Sequence, residues 1–276
     1  MSNFVRLFLV AALVSTGVAS LTAAPKSDYW AIWDSSNPRD IRTIDHSAYA
    51  AFLDRYLVTD DPSGVNLVRY QGVSTADRMA LQSYLDDLQA VAISGYNRDE
   101  QFAYWVNLYN AATIELILEH YPVESIREID ISPGLFASGP WDAELVEVEG
   151  TALTLNDVEH RILRPLWEDP RIHYAVNCAS YSCPNLAPEP YTAENYDTLL
   201  DEMASDYINH PRGVEFDGRR LRLSSIYNWY EEDFEDSLDG VIEHLLEYAE
   251  GETADRLREH SGGARYRYDW DLNEAS

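Results

Sequence analysis

The sequence predicts a single α+β domain that is rich in helix and contains a small, largely antiparallel sheet. Long segments with apolar residues at helical spacing fill the middle of the chain. Short segments that alternate polar and apolar residues are joined in pairs across glycine turns, which is typical of antiparallel hairpins. Strands and helices do not alternate regularly along the chain, and there is no tandem repeat, so a parallel βαβ sheet is not expected.

The longest predicted helix lies between Asn97 and His120. Asn97 is placed to cap its first turn, and the residues that follow are apolar almost all round, so we expect this helix to be buried. An earlier helix begins after Ser74 and ends at Gly95. The other predicted elements are a helix over 48–57, a strand over 65–70, a hairpin of 144–149 with 151–155, a helix over 156–163, a strand over 172–177, a helix over 193–208, a hairpin of 214–216 with 220–223, one or two helices over 238–260 and a closing strand over 264–271.

The beginning of the chain has the pattern of a secretory signal peptide over residues 1–24. Arg6 supplies the positive charge, and the apolar run that follows is shorter than the ~20 residues of a membrane span. We therefore expect a periplasmic or secreted protein with no stable membrane insertion after signal cleavage. The predicted organisation continues with an N-terminal arm and first helix over 25–64 and the main domain over 65–276.

The chain is strongly acidic. Its 276 residues carry a formal net charge of -28, and Lys26 is the only lysine. Such a charge repels phosphates, so nucleic acids and anionic membrane surfaces are not expected as partners. We interpret the acidity as a solvated surface.

The segment from Arg171 to Pro184 contains both cysteines of the chain, Cys178 and Cys183. The predicted strand over 172–177 would place Asn177 and Cys178 at its exposed end, where functional side chains often lie. An exported protein meets an oxidising environment, which favours a disulfide between the two cysteines. Closing so short a loop would stabilise the fold by only about 2 kcal/mol.

The alternative is that Cys178 is a nucleophile, which requires a nearby base or a positive environment. Alternation along a strand would turn His173 away from Cys178. His160, on the preceding predicted helix, is the better candidate base. A partly buried histidine that binds a main-chain carbonyl is the competing interpretation of His160.

Three asparagines and two arginines are candidate binding residues together with His173. Asn107 and Asn110 are three residues apart on the buried helix, so they share a face and could line a site with Asn177. A polar network that only fixes the fold is the alternative. Arg164 and Arg171 could bind a carboxylate, or they could form internal ion pairs. No metal-binding pattern and no phosphate loop is found, so neither a metal nor another cofactor is expected.

Four phrases of the sequence point to a known family. They are QFAYWVNLYNAATIELIL (101–118), YPVESIREI (121–129), LTLNDVEHRILRPLWEDPRIHYAVNCASYSCPNL (153–186) and YDWDLN (268–273). In sequence, order and spacing they resemble the domain of unknown function 547 family. The resemblance extends over residues 65–273 and implies an exported bacterial member. It also implies that the position of Cys178 is more characteristic of the family than that of Cys183, where some relatives carry serine.

Three functional hypotheses follow. In the first, the protein is a cysteine-dependent acyl-transfer enzyme, a hydrolase or transferase acting on an amide or thioester, with Cys178 as nucleophile and His160 as base. An asparagine such as Asn177 would then stabilise the oxyanion. In the second, it is a non-catalytic module that binds an unknown small molecule, peptide or protein and contains a structural disulfide. In the third, the two cysteines are a labile redox pair.

Overall fold

The structure is a computed structural model that describes residues 24–134 and 139–275. Helices are the dominant elements of this described part, as the sequence predicts. Its α-helices are α1 (Ser47–Tyr56), α2 (Thr75–Gln89), α3 (Arg98–His120), α4 (Arg164–Trp167), α5 (Ile172–Ala175), α6 (Tyr196–Ile208), α7 (Ile226–Trp229), α8 (Leu238–Tyr248) and α9 (Gly251–Arg258). A π-helix, Asp157–Leu163, runs directly into α4.

Within residues 24–134 and 139–275 the strands form three small sheets rather than one. They are β1 (Leu57–Val58), β2 (Leu67–Val68), β3 (Val146–Val148), β4 (Thr151–Leu153), β5 (Val214–Asp217), β6 (Arg220–Ser224) and β7 (Ala264–Arg267). Strands β1 and β2, β3 and β4, and β5 and β6 pair antiparallel, and β7 adds to β6 in parallel. The predicted α+β class with a largely antiparallel arrangement is confirmed.

Helix α3 is the central element of the core. The side chain of Asn97 accepts the N–H of Glu100 at 2.9 Å and caps the helix as predicted. Eighteen of its residues are buried, so water reaches little of its surface. A helix that is apolar on all sides must be covered all round, and here α2, α6 and the π-helix pack against it.

The residues before α1 also belong to this structure. We call residues 25–33 the N-terminal arm. Trp33, at the end of the arm, packs edge-to-face on Trp105 of α3 at 5.1 Å between ring centres. Residues from α1 share the same apolar core as α3. The boundary between residues 64 and 65 stays a prediction.

Two local predictions around the candidate site are wrong. Residues 172–175 form one turn of helix, α5, and not a strand. The helix predicted over 156–163 is capped two residues before its predicted start, by Thr154: the Thr154 hydroxyl accepts the N–H of Asp157 at 3.0 Å, and the Asp157 carboxylate accepts the N–H of Thr154 at 3.0 Å. This reciprocal arrangement is a capping box.

The described residues include no helix that is both long and apolar enough to cross a membrane. The predicted signal peptide falls outside the described residues, apart from Ala24. The signal peptide and the periplasmic or secreted location stay predictions.

Candidate functional site

The segment that leads to Cys178 is held in place at both of its ends. At its beginning the side chain of Asp169 accepts the N–H of Arg171 at 2.9 Å, and the carbonyl of Asp169 accepts the N–H of Ile172. At its end the side chain of Asn110 donates to the carbonyl of Ala175 at 2.9 Å and accepts the N–H of Asn177 at 2.8 Å. A short apolar run in a sequence is compatible with either a buried strand or a buried helix. Here the contacts with Asp169 and Asn110 favour a helical turn.

The two cysteines lie in a compact loop that follows this turn. Asn177 closes the loop, because its side chain accepts the N–H of Ala179 at 2.9 Å and donates to the carbonyl of Pro184 at 2.8 Å. Ala179 has a φ of 56°, in the left-handed region that residues other than glycine rarely adopt. Backbone in this region is strained and occurs frequently at functional sites. The strain here falls on the residue directly after Cys178.

The structure contains Cys178 and Cys183 as free thiols. Their sulfur atoms are 3.1 Å apart, about 1 Å more than the length of a disulfide bond. The predicted disulfide is therefore absent from the structure. An oxidant that removes two electrons could form it with only a small approach of the sulfurs. Cys178 is partly exposed, and Cys183 is buried.

Three groups surround the sulfur of Cys178 within hydrogen-bonding distance. They are the Cys183 thiol at 3.1 Å, the Tyr268 hydroxyl at 3.1 Å and the Ser180 hydroxyl at 3.3 Å. The hydrogen bond from Cys183, with smaller contributions from Ser180 and Tyr268, lowers the pKa of Cys178 even though burial opposes it. Burial and the neighbouring Cys178 raise the pKa of Cys183 well above its usual value. Cys178 therefore ionises first. In the neutral pair the Cys178 thiol donates to the sulfur of Cys183, and Cys183 can donate in return once Cys178 has lost its proton.

The predicted asparagines are brought close to this loop, but both ends of each amide are already bonded to main chain. Asn107 donates to the carbonyl of Tyr191 at 2.7 Å and accepts its N–H at 3.0 Å. Asn110 and Asn177 are occupied in the same way by the main-chain groups described above. This arrangement matches the alternative in which the amides fix the fold. The N–H of Cys178, which could also bind an oxyanion, points to the sulfur of Cys183 at 3.0 Å.

His160, His173 and Arg164 come together in a second site, the charged cluster, which also contains Glu159 and Asp233. His173 Nε2 lies 2.6 Å from Asp233 Oδ2, and Arg164 forms a two-point contact with the same carboxylate, its shorter distance also 2.6 Å. Arg164 also donates to His160 Nδ1 at 3.1 Å. The ring of Tyr230 stacks on His173 at 4.0 Å.

Four members of the charged cluster are buried and Asp233 is half-buried, so both burial and hydrogen bonds affect the protonation of the cluster. Although burial opposes ionisation, the hydrogen bonds from His173 and Arg164 lower the pKa of Asp233 to about 2. Burial also lowers the pKa of His160, so this ring is neutral at pH 7. Since Arg164 donates to Nδ1 of His160, the proton of the neutral ring lies on Nε2. His160 is thus a partner of Arg164, and among the described residues no histidine is hydrogen-bonded to Cys178.

Arg171 belongs neither to the cysteine loop nor to the charged cluster. It forms ion pairs with Asp169, Asp197 and Asp201 at distances of 2.7 to 2.9 Å. This is the internal pairing that we considered as the alternative to carboxylate binding. The described residues contain no group of three or more metal-binding side chains that could hold a metal ion.

The sequence interpretation missed four residues that contact the two sites. Ser180 and Tyr268 contact the sulfur of Cys178, Asp233 anchors the charged cluster, and Tyr230 stacks on it. Tyr268 lies within YDWDLN, so the resemblance pointed to the right segment. Asp233 carries no local signal in so acidic a chain.

Comparison with known proteins gives one result. Residues 93–208 match the model of the family described as "Protein of unknown function, DUF547". The chain carries a domain of this family. The predicted membership is confirmed for this segment, which contains α3, the charged cluster except Asp233, and both cysteines. No curated protein and no solved structure matches the chain. Bacterial origin and the wider extent over residues 65–273 stay predictions.

Proposed function

We propose that this DUF547 protein carries out thiol–disulfide exchange, with Cys178 as the attacking thiolate and Cys183 as the resolving thiol. The observation that carries the proposal is the pair of sulfurs, 3.1 Å apart, with opposite pKa shifts. A lowered pKa provides the nucleophilic thiolate, and Cys178 is the more exposed residue of the pair. The protonated, buried partner is positioned to complete the exchange.

The reaction balances without any further cofactor. The thiolate of Cys178 attacks one sulfur of a substrate disulfide, forming a mixed disulfide and releasing the other substrate sulfur as a thiolate. That leaving thiolate takes the proton of Cys183. The sulfur of Cys183 then attacks the sulfur of Cys178, and the second substrate sulfur leaves as a thiolate and is protonated by water. The protein dithiol is oxidised to a disulfide, and the substrate disulfide is reduced to two thiols.

Acyl transfer at Cys178 is the second candidate, in which the protein is a hydrolase or transferase. The lowered pKa of Cys178 and the strained Ala179 beside it favour a nucleophile of either kind. Acyl transfer also needs a proton donor for the leaving group and free donors for an oxyanion. The N–H groups of Cys178 and Ala179 are both occupied, and His160 is bonded to Arg164. These contacts support disulfide exchange over acyl transfer.

Export to an oxidising compartment is part of the same proposal, because disulfides persist there. A binding module for an unknown small molecule, peptide or protein, in which Cys178 and Cys183 form a permanent bridge, is the remaining alternative. It differs from the exchange proposal in one measurable quantity, the reduction potential of the pair. Structural disulfides have potentials below about −300 mV, and catalytic ones lie above this value.

The test is a redox titration of the purified protein in glutathione buffers, with free thiols trapped by iodoacetamide and counted by mass spectrometry. We expect both thiols to be lost together in one transition, at a potential above about −300 mV. In the variant Cys183→Ser the mixed disulfide between Cys178 and glutathione should accumulate, because the resolving thiol is missing. Cys178→Ser is the matched control and should form no mixed disulfide at the buried Cys183.

Two outcomes would contradict the proposal. A bridge that stays closed until the buffer is well below −300 mV would identify a structural disulfide. If the intramolecular bridge never forms, while a p-nitrophenyl ester is turned over by the wild type and not by Cys178→Ser, acyl transfer is the better assignment.

A further inference from the structure

At the end of the π-helix, two main-chain carbonyls each lose one helical donor. Pro165 follows it closely and has no N–H. The carbonyl of His160, five residues earlier, therefore has no π-helical donor from that position, and the carbonyl of Arg161, four residues earlier, has no α-helical donor. Unpaired buried carbonyls are costly, so both need donors from elsewhere in the chain.

The N-terminal arm supplies these donors. The N–H of Asp28 donates to the carbonyl of His160 at 2.9 Å, and the N–H of Trp30 donates to the carbonyl of Arg161 at 3.3 Å. The same two residues of the arm bind Arg161 through their side chains. Its Nε lies 3.2 Å from the carboxylate of Asp28, and its guanidinium lies 3.9 Å from the ring centre of Trp30.

The beginning of the arm lies over the charged cluster. Arg164 donates to the carbonyl of Pro25 at 2.8 Å, and the carboxylate of Glu232 accepts the N–H of Ser27 at 2.8 Å. Arg164 also pairs with Glu232 at 2.6 Å, so the arm joins both partners of one ion pair. A cleft of about 290 Å³ remains between the arm and the π-helix, with His160 in its wall. The arm therefore covers the cluster without filling all the space beside it.

We infer that this surface is a binding site for an extended peptide of the pattern Pro-x-x-Asp-x-Trp, and that the chain's own arm occupies it. Four of the contacts are made to main-chain groups of the arm, as in the addition of a peptide to a strand edge. Two side-chain contacts, to the acidic and the aromatic residue, supply the specificity. The ligand is thus a segment of another protein with an acidic residue two positions before an aromatic one.

Because the arm occupies the site, it limits the binding of any other peptide there. A tethered segment competes with an outside peptide at an effective concentration in the millimolar range. An outside peptide therefore gains access only when the arm is released. Its arrival would replace the cover over Arg164 of the charged cluster and over Glu232, which pairs with Arg164. This role does not depend on the chemistry of Cys178.

The test uses the full chain and a fluorescein-labelled peptide with the sequence of residues 25–34, followed by fluorescence anisotropy. The double variant Asp28→Pro with Trp30→Pro removes the two N–H donors that hold the arm. Tyr29→Pro is the matched control, since the contacts described for the arm do not use its N–H. We expect the peptide to bind the double variant at least about ten-fold more tightly than the wild type or the control. A peptide with alanine at the positions of Asp28 and Trp30 should lose most of this affinity.

Equal, weak binding of the peptide to the folded double variant and to the wild type would overturn the inference. Hydrogen exchange of the wild type gives an independent measurement if the double variant does not fold. The amides of Asp28 and Trp30 should exchange at least about ten-fold more slowly than that of Tyr29. Excess unlabelled peptide should accelerate the exchange of the two protected amides, because it captures the site whenever the arm is released. The absence of protection, or of acceleration by the peptide, would also overturn it.

Discussion

Replacement of Cys183 by alanine should raise the pKa of Cys178. The Cys183 thiol is the largest of the contributions that lower this pKa, and its sulfur lies 3.1 Å from that of Cys178. A hydrogen bond to a charged group contributes about 1.5–3 kcal/mol, and a thiol is a weak donor, so we take the lower end of this range. At about 1.4 kcal/mol per factor of ten, this loss corresponds to roughly a ten-fold fall in the fraction of Cys178 that is ionised below its pKa.

The rise in pKa can be converted into a rate of alkylation. Below both pKa values the fraction of thiolate falls about ten-fold, but the more basic thiolate is intrinsically more nucleophilic. With a Brønsted coefficient of about 0.45, the net fall in the rate of iodoacetamide alkylation is roughly three-fold. Above the pKa of the variant the order reverses, and Cys183→Ala should react faster than the wild type.

The assay is the pH dependence of alkylation at Cys178, followed by mass spectrometry. The buried Cys183 stays protonated in the wild type, so the titration reports Cys178. Cys183→Ser is the matched control. Its hydroxyl retains a donor near Cys178, and its pKa should fall between those of the wild type and the alanine variant. A pKa that is unchanged or lower in Cys183→Ala would refute the assignment of Cys183 as the donor.

Three further predictions concern stability. Asn110→Ala leaves the carbonyl of Ala175 and the N–H of Asn177 without partners, and it should lower the free energy of unfolding in urea by about 2–4 kcal/mol; a loss below about 1 kcal/mol would contradict the role of this amide. Because the pKa of Asp233 is depressed to about 2, its contribution is present above about pH 4 and is lost towards pH 2. Between these values the wild type should lose about 2 kcal/mol more than Asp233→Asn. The pKa of His244 is lowered to about 4 by burial, so stability should fall by about 3 kcal/mol as the pH drops from about 6.5 to below 4, and His244→Gln should remove this dependence.

The elements that the sequence predicted correctly are those determined by local signals. Helix α3 combines an asparagine cap with a continuous apolar surface, and both signals lie within the helix itself. The hairpin of β3 and β4 turns at Glu149 and Gly150, which both have positive φ, at 49° and 78°. Glycine at the second position of such a turn is a strong signal, because it adopts this conformation without strain.

The elements that could not be predicted depend on residues far away in the sequence. The turn at 172–175 ends on the side chain of Asn110, 65 residues from Ala175, and His173 binds Asp233, which is 60 residues away. Neither partner changes the hydrophobic pattern of the segment, which is equally compatible with a buried strand. The expectation that His173 faces away from Cys178 rested on that strand. The structure assigns His173 a partner of its own instead.

The two sites are connected by their shared supports. On α3, Tyr109 donates to Glu159 of the charged cluster at 3.2 Å, and the next residue, Asn110, holds the segment that leads to Cys178. That segment begins at α5, where His173 is bound to Asp233. The charged cluster therefore anchors the beginning of α5, and the cysteine loop continues from its end. Burying charged groups costs free energy unless they are paired, and here Asp233 is paired with both His173 and Arg164. We interpret the cluster as a rigid support that sets the position of Cys178. Its two histidines are already bonded to Asp233 and Arg164, so neither is free to act as a base. The negative charge of Glu159 raises the pKa of Cys178, so the cluster does not activate this thiol.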